Sequence, residues 1–232
     1  MKKFTCYIFA RGGSKGVKNK NIADVNGKPL IYYTIKEAKK SRYIKRIVVS
    51  TDDLKIINIA KKYNLEIIKR PKKISGDRSP ELEAWKHAIN EDKSTLDQSD
   101  LFISLPTTSP LRTFKDIDRG IKTYLKSCDD LLIAITPSHR NPYLNMVKIK
   151  SNRIKLFAEQ KKLYRRQDAP KVYDITTAIY VSNRKYILNC KKIIEGKTGF
   201  IIIPKERSLD IDDKIDLQLA RLLLKKWLIK IL

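Results

Sequence analysis

The chain has 232 residues, 42% of them hydrophobic, which suits one globular domain and not two of full size. Ile, Leu and Val recur along the whole length while Gly and Pro number only 8 and 9, so the composition excludes a disordered chain. Lys and Arg number 50 against 25 Asp and Glu, a formal charge of +25 scattered from end to end. That excess reads either as a nucleic-acid surface or as freely solvated lysine with part of the charge focused on a polyanionic small substrate.

No apolar run approaches the roughly 20 residues of a membrane-spanning helix, so no integral membrane association is expected. The opening Met1-Lys-Lys-Phe-Thr-Cys-Tyr-Ile-Phe-Ala10 has too short an apolar core before Arg11 to serve as a signal peptide. Cys6, Cys128 and Cys190 are odd in number and lack metal-ligand spacing. They read as thiols in a reducing cytoplasm.

In chain order, Thr5–Ala10 is a short apolar strand ending in a Gly-rich turn. Pro29–Lys40 carries Ile31, Tyr32, Ile35 and Ala38 at helical spacing. Arg46–Ser50 is a buried-strand run, Leu54–Tyr63 a helix and Leu65–Ile68 a strand. A helix opened by proline follows over Pro80–Asn90. Leu101–Leu105, Phe114–Lys126 and Leu131–Ile135 then read as strand, helix and strand. This alternation predicts an α/β fold with a mainly parallel sheet, right-handed crossovers and helices on both faces. Ligands bind such sheets at the carboxyl ends of the strands, which points to the loops after Ala10, Ser50, Ile68, Leu105 and Ile135.

The pattern changes after Thr136. Met146–Ile149 and Ile154–Phe157 flank a hairpin turn, and the basic stretch Lys161–Lys171 follows. Residues 137–172 are expected to form an excursion within a single domain over 1–232. Asp174–Val181 and Gly199–Ile203 read as further strands and Asp213–Ile231 as a closing helix. That helix mixes Leu, Ile and Trp227 with Arg221, Lys225, Lys226 and Lys230. It packs on the sheet or, alternatively, lies on a membrane surface.

Three motifs carry chemistry. The first is Ala10-Arg-Gly-Gly-Ser-Lys-Gly-Val-Lys-Asn-Lys-Asn21, directly after the first strand. Gly12, Gly13 and Gly16 allow tight turns and close approach to an anion, and exposed N–H groups there form an anion nest. Arg11, Lys15, Lys18 and Lys20 add positive charge suited to a triphosphate. The spacing matches neither a Walker A loop nor a dinucleotide fingerprint; a flexible basic loop is the plain alternative. The second motif is Ser208-Leu-Asp210-Ile-Asp212-Asp213-Lys-Ile-Asp216. Asp210 and Asp212 share a side in extended backbone and suit Mg²⁺, while Asp213 reads as a helix N-cap and Asp216 as a first-turn acid. All four are equally readable as ordinary helix-start residues. The third, Leu105-Pro-Thr-Thr-Ser-Pro-Leu-Arg112, is by itself a rigid turn rich in hydroxyls.

In this order, the motifs resemble those of the CMP-sugar synthetases, the cytidylyltransferases that activate sialic acid and related nonulosonic acids. The resemblance spans nearly the whole chain. It adds Lys20-Asn21-Ile22, Val25-Asn-Gly-Lys-Pro-Leu30, Ile47-Val-Val-Ser-Thr-Asp52, Arg70-Pro71, Thr108-Ser-Pro-Leu-Arg112, Asn141-Pro-Tyr143 and Arg166-Gln167 to the motifs above. It implies a three-layer Rossmann-like nucleotidyltransferase domain whose excursion helps form a homodimer. The implied reaction joins CTP and a 2-keto sugar acid with release of pyrophosphate. It further implies that Arg11, Lys15 and Lys20 neutralise the leaving pyrophosphate and that Asp210 and Asp212 hold Mg²⁺. Nucleotide contacts would come from Ala10, Arg11, Gly12, Gly13, Ser14, Lys15, Lys20, Asn21 and Arg70. Sugar contacts would come from Thr108, Arg166 and Tyr180, with Arg166 pairing the carboxylate. For Arg70 a surface ion pair is the alternative, and for Tyr180 an ordinary strand aromatic. Leu105, Thr176-Thr177 and Leu144-Asn145 depart from the pattern of enzymes for N-acetylneuraminate and leave legionaminic or pseudaminic acid as competing substrates. A synthetase for the eight-carbon acid Kdo is the runner-up enzyme, and a basic nucleic-acid-binding domain the reading from another class.

Overall fold

The structure, a computed structural model, describes residues 3–77, 79–93, 101–158 and 165–229, the side chains of 166 and 226–229 excepted. Strand β1 (Phe4–Phe9) leads through a small hairpin, β2 (Asp24–Val25) and β3 (Lys28–Pro29), into helix α1 (Leu30–Lys40). There follow β4 (Ile44–Thr51), α2 (Leu54–Lys62), β5 (Glu66–Lys69), α3 (Glu81–Glu91), β6 (Leu101–Ser104), α4 (Phe114–Tyr124) and β7 (Leu131–Pro137). The second part holds β8 (Val147–Lys150), β9 (Arg153–Leu156), β10 (Tyr173–Asn183), α5 (Arg184–Asn189), β11 (Thr198–Ile202) and α6 (Lys214–Ile229). Among the described residues, no helix is long and apolar enough to cross a membrane.

The seven-stranded sheet has the order β11-β7-β10-β6-β1-β4-β5. Its β1–β4, β1–β6, β4–β5 and β7–β11 pairs are parallel, and only β10 runs against its neighbours. Period-two alternation sorts the strand side chains between two helical layers. Cys6, Ile8, Val49 and Ile103 pack with Ile31 and Ile35 of α1, Ile56 of α2 and Ile117 of α4. Tyr7, Val48 and Phe102 face the other way, toward Leu82 and Trp85 of α3 and Ile187 of α5. This is the three-layer α/β arrangement that the strand–helix alternation predicts.

Local caps mark the helix starts. Asp53 accepts from the N–H groups of Lys55 (2.7 Å) and Ile56 (3.2 Å). Thr113 and Asp116 form a capping box at α4. Asp213 accepts from the N–H groups of Ile215 and Asp216 at 2.7 and 3.0 Å, as an N-cap should, and Asp216 occupies the first turn of α6. The β8–β9 ribbon forms a separate two-stranded sheet whose eight residues are all exposed. The membrane-surface reading of α6 rests partly on Lys226 and Trp227, whose side chains lie outside the described set, and on Lys230, which lies outside it entirely. Part of the basic stretch 161–171 also lies outside the described residues.

A register shift between Thr176 and Tyr180 interrupts the β10–β7 ladder. Buried Arg112 meets the carbonyls at this break. Its Nη1 donates to the carbonyls of Ala178 (2.6 Å) and Thr177 (3.4 Å), and its Nη2 to Thr34 Oγ1 (2.6 Å) and the Pro106 carbonyl. The guanidinium thereby fixes the loop after β6 against β10.

Candidate active site

The carboxyl ends of β1, β4 and β6 bring their loops together. After β1 the chain turns through Gly13, whose φ of +69° suits glycine. The Gly12 N–H donates to Asp52 Oδ1 at 2.9 Å, fastening this loop to the one after β4. Gly16 lies against the start of α6, where an added Cβ would sit 2.1 Å from the Asp212 carbonyl oxygen. Buried Asn21 donates to the Arg11 carbonyl at 2.8 Å and accepts from Thr107 Oγ1. Its amide therefore ties the glycine-rich loop to the loop after β6.

Three cations of the first loop, Arg11, Lys15 and Lys20, meet acids. Arg11 Nη1 lies 2.8 Å from Asp77 and 3.3 Å from the Ser75 carbonyl oxygen; Lys15 Nζ lies 3.0 Å from the other Asp77 oxygen. Hydrogen bonds from Lys15 and Arg11 hold the Asp77 carboxyl below the usual carboxylate range. Lys20 Nζ donates to the Ile211 carbonyl and to Asp212 Oδ1, the latter at 3.2 Å.

Arg70 is buried and not a surface ion-pair residue. It donates to the Ser50 carbonyl at 2.8 Å and to Ser50 Oγ at 3.3 Å, and its guanidinium carbon stands 5.7 Å from the centre of the Phe9 ring. Burial lowers its pKa to about 10, opposed by the charges of Asp52 and Glu81. It remains a cation at neutral pH.

These groups border one open cavity of about 620 Å³. Arg11, Ser14, Lys15, Lys20, Asn21, Arg70, Thr108 and Asp212, all singled out in the sequence, line it. Ala10 is buried behind the wall, and Gly12 and Gly13 belong to the same loop without lining the cavity. Tyr180 is not brought to the wall: it is buried, with its ring 5.2 Å from that of Trp85. Burial first, then the charges of Glu81 and Asp210, raises the Tyr180 hydroxyl pKa above its ordinary value. The side chain of Arg166 lies outside the described residues.

Sequence reasoning missed Phe9, Asp77 and Glu81, which also line the cavity, as do Thr107 of the hydroxyl-rich turn and Thr177 of the Thr176-Thr177 pair. The strand-end rule flags the loop that holds Asp77 but singles out no residue within it. Thr177 Oγ1 lies 2.9 Å from Thr108 Oγ1 and 2.8 Å from Ser109 Oγ. It depends on the break in β10, which has no local sequence signal.

Chemically, the cavity offers cations for a polyphosphate on one wall and hydroxyls and an aromatic ring on others. Asp210 Oδ1 is buried without a hydrogen-bond partner, while Asp212 is exposed. Asp212 lines the cavity and Asp210 does not; an exposed carboxylate and a buried one with an unfilled oxygen are donors that suit a hard divalent cation completed by phosphate and water oxygens. Among the described residues, no group of three or more His, Cys, Asp or Glu gathers around a metal position. A self-sufficient protein cage is therefore not what the described residues offer.

Residues 5–221 match the model of a family described as Cytidylyltransferase. The chain is 33% identical over 228 residues to the post-translational flagellin modification protein B of Campylobacter coli, covering 97% of each. It is 34% identical over 226 residues to the CMP-N,N'-diacetyllegionaminic acid synthase of Campylobacter jejuni, covering 97% of this chain and 96% of that one. To a pseudaminic acid cytidylyltransferase of C. jejuni it is 33% identical over 228 residues, covering 96% and 97%. Among solved structures, a CMP:2-keto-3-deoxy-manno-octonic acid synthetase complexed with CTP superposes with a TM-score of 0.74 at 15% identity. That match covers 98% of this chain and 100% of the other, and at such identity it speaks for the fold alone.

Proposed function

Because the chain belongs to the cytidylyltransferase family and is therefore a nucleotidyltransferase, we propose that it transfers CMP from CTP to the anomeric hydroxyl of a nonulosonic acid. The anomeric hydroxyl gives up its proton to solvent as its oxygen bonds to the α-phosphorus, the bond from that phosphorus to the α,β-bridging oxygen breaks, and pyrophosphate leaves. The observation that carries this reading is the single cavity joining the basic loop, Arg70 and Asp212. The names of the curated relatives support a sugar of the legionaminic or pseudaminic type.

In this reading Arg11, Lys15 and Lys20 bind the β- and γ-phosphates and offset the charge that grows on the leaving group. Arg70 and Asn21 border the nucleoside, Thr108 and Thr177 offer hydroxyls to the sugar, and Arg166 pairs with the sugar carboxylate. Asp210 and Asp212 would hold Mg²⁺, which when bound polarises the α-phosphate and lowers the pKa of a coordinated hydroxyl. Tyr180 supports the floor through Trp85 rather than facing the substrate. The protein works as a homodimer joined through the exposed hairpin region.

The test is pyrophosphate release by purified protein with Mg²⁺ and CTP, run in parallel against legionaminic acid, pseudaminic acid, N-acetylneuraminate and Kdo, with ATP, GTP and UTP as nucleotide controls. Release with CTP and one nonulosonic acid is expected. Release with Kdo alone would overturn the sugar class, and release with none of the acids would overturn the reaction. Asp212→Ala should stop turnover while its circular dichroism stays unchanged; a near-normal Mg²⁺-dependent rate would remove Asp212 from the metal site.

A further inference from the structure

Asp77 places one carboxylate oxygen on each of two cations, Arg11 at 2.8 Å and Lys15 at 3.0 Å. Those are the two cations nearest the front of the glycine-rich loop, and Asp77 lies on the same cavity wall. A phosphate group bridging them would present two oxygens in the same way. Lys15 is largely exposed, and Asp77 is its only ion-pair partner among the described residues. Arg11 has one other hydrogen-bond partner there, the neutral carbonyl of Ser75.

We propose that Asp77 is a built-in competitor for the polyphosphate: in the free protein it fills the anion position of the loop, and a bound polyphosphate must displace it. The proposal rests on the reading of Arg11 and Lys15 as phosphate ligands. Two cations on one short loop repel each other, and a carboxylate between them offsets that repulsion. A polyphosphate brings more negative charge and takes both. Asp77 is then left beside an anion and turns to water, which is easy because it is exposed at the cavity rim. After transfer, the same carboxylate competes with departing pyrophosphate for the same two partners. The residue thereby lowers occupancy by weak anions and favours release of the leaving group.

Isothermal titration of the full chain with tripolyphosphate, without metal, reads this directly. Each exposed pair contributes little, so Asp77→Asn and Asp77→Ala should each tighten tripolyphosphate binding by about 3–10-fold. The gain should shrink as NaCl is raised, because exposed pairs are screened. Cytidine, which has no phosphate to compete, should bind the variants and the parent alike. Unchanged or weaker tripolyphosphate binding in both variants would overturn the proposal and make Asp77 a residue that positions the cations. A parallel change in cytidine affinity would overturn it too, by showing general rearrangement of the cavity. Sugar-dependent pyrophosphate release is a separate measurement, so failure of the proposed reaction and failure of the competitor are told apart.

Discussion

A guanidinium as enclosed as that of Arg112 persists only where oxygens surround it, and four do. Burial lowers its pKa to about 10, so it stays charged at neutral pH. Arg112→Met should destabilise the protein by about 2–4 kcal/mol in urea unfolding, because it removes the donor to the Ala178 carbonyl and one of the two donors to the Pro106 carbonyl. Cysteine reactivity should divide in the same way. Burial pushes the Cys6 thiol up to about 12 and raises Cys190 as well, whereas Cys128 is exposed. One thiol should react promptly with a colorimetric disulfide reagent under native conditions, and three in denaturant; prompt reaction of all three would contradict this packing. Single residues were legible where local chemistry defined them. Ile211 is fully buried between Asp210 and Asp212, the alternation that marks the two acids as a pair. Asp92 was not legible, because its partners Tyr7, Arg46 and Arg184 arrive from three distant elements.

Elements were easier to read than their directions. Hydrophobic periodicity locates β1, α1, β4, α2, β6 and α4 within a few residues, and Asp213 announces α6. Nothing local distinguishes β10, whose strand propensity is the same whether it runs with or against β6. Its reversal is a choice of the whole sheet, and so is the break in its pairing with β7 at residues 177–179. The contact between the glycine-rich loop and the start of α6 is similarly non-local. Gly16→Ala would place a methyl carbon 2.1 Å from the Asp212 carbonyl oxygen, so loop and helix must part. The expected result is at least a tenfold loss of kcat/KM, about 1.4 kcal/mol of transition-state stabilisation, with the melting temperature nearly retained. Full activity in steady-state kinetics would show that the loop can shift without consequence.

At the scale of the molecule, apolar surface is left uncovered on the second part of the chain. Ile149 and Ile154 lie opposite each other on β8 and β9 with 77% and 72% of their surface exposed. Val147 and Leu156, the cross-strand pair two residues along on the same face, extend the patch. Contiguous apolar surface of this kind marks an interaction site, which agrees with the proposed dimer. The pair Ile149→Glu with Ile154→Lys keeps an attractive cross-strand contact while removing the apolar one. It should convert dimer to monomer in size-exclusion light scattering; an unchanged mass would place the interface elsewhere. The ribbon itself was legible as a hairpin, but its separation from the main sheet was not, since pairing partners are set by the fold.

Lys20 reaches across 192 positions of sequence to meet Asp212. Asn26 donates to the Arg221 carbonyl, and Arg221 donates to the carbonyl of Asp24, along the same seam. A ribosome making this protein therefore releases Lys20 long before the acid that pairs with it. Arg11 and Lys15 can meet Asp77 early, but the cavity cannot close until its last wall has been translated. Maturation of the site is thus a late event in the birth of the molecule, dictated by the order in which its halves are made.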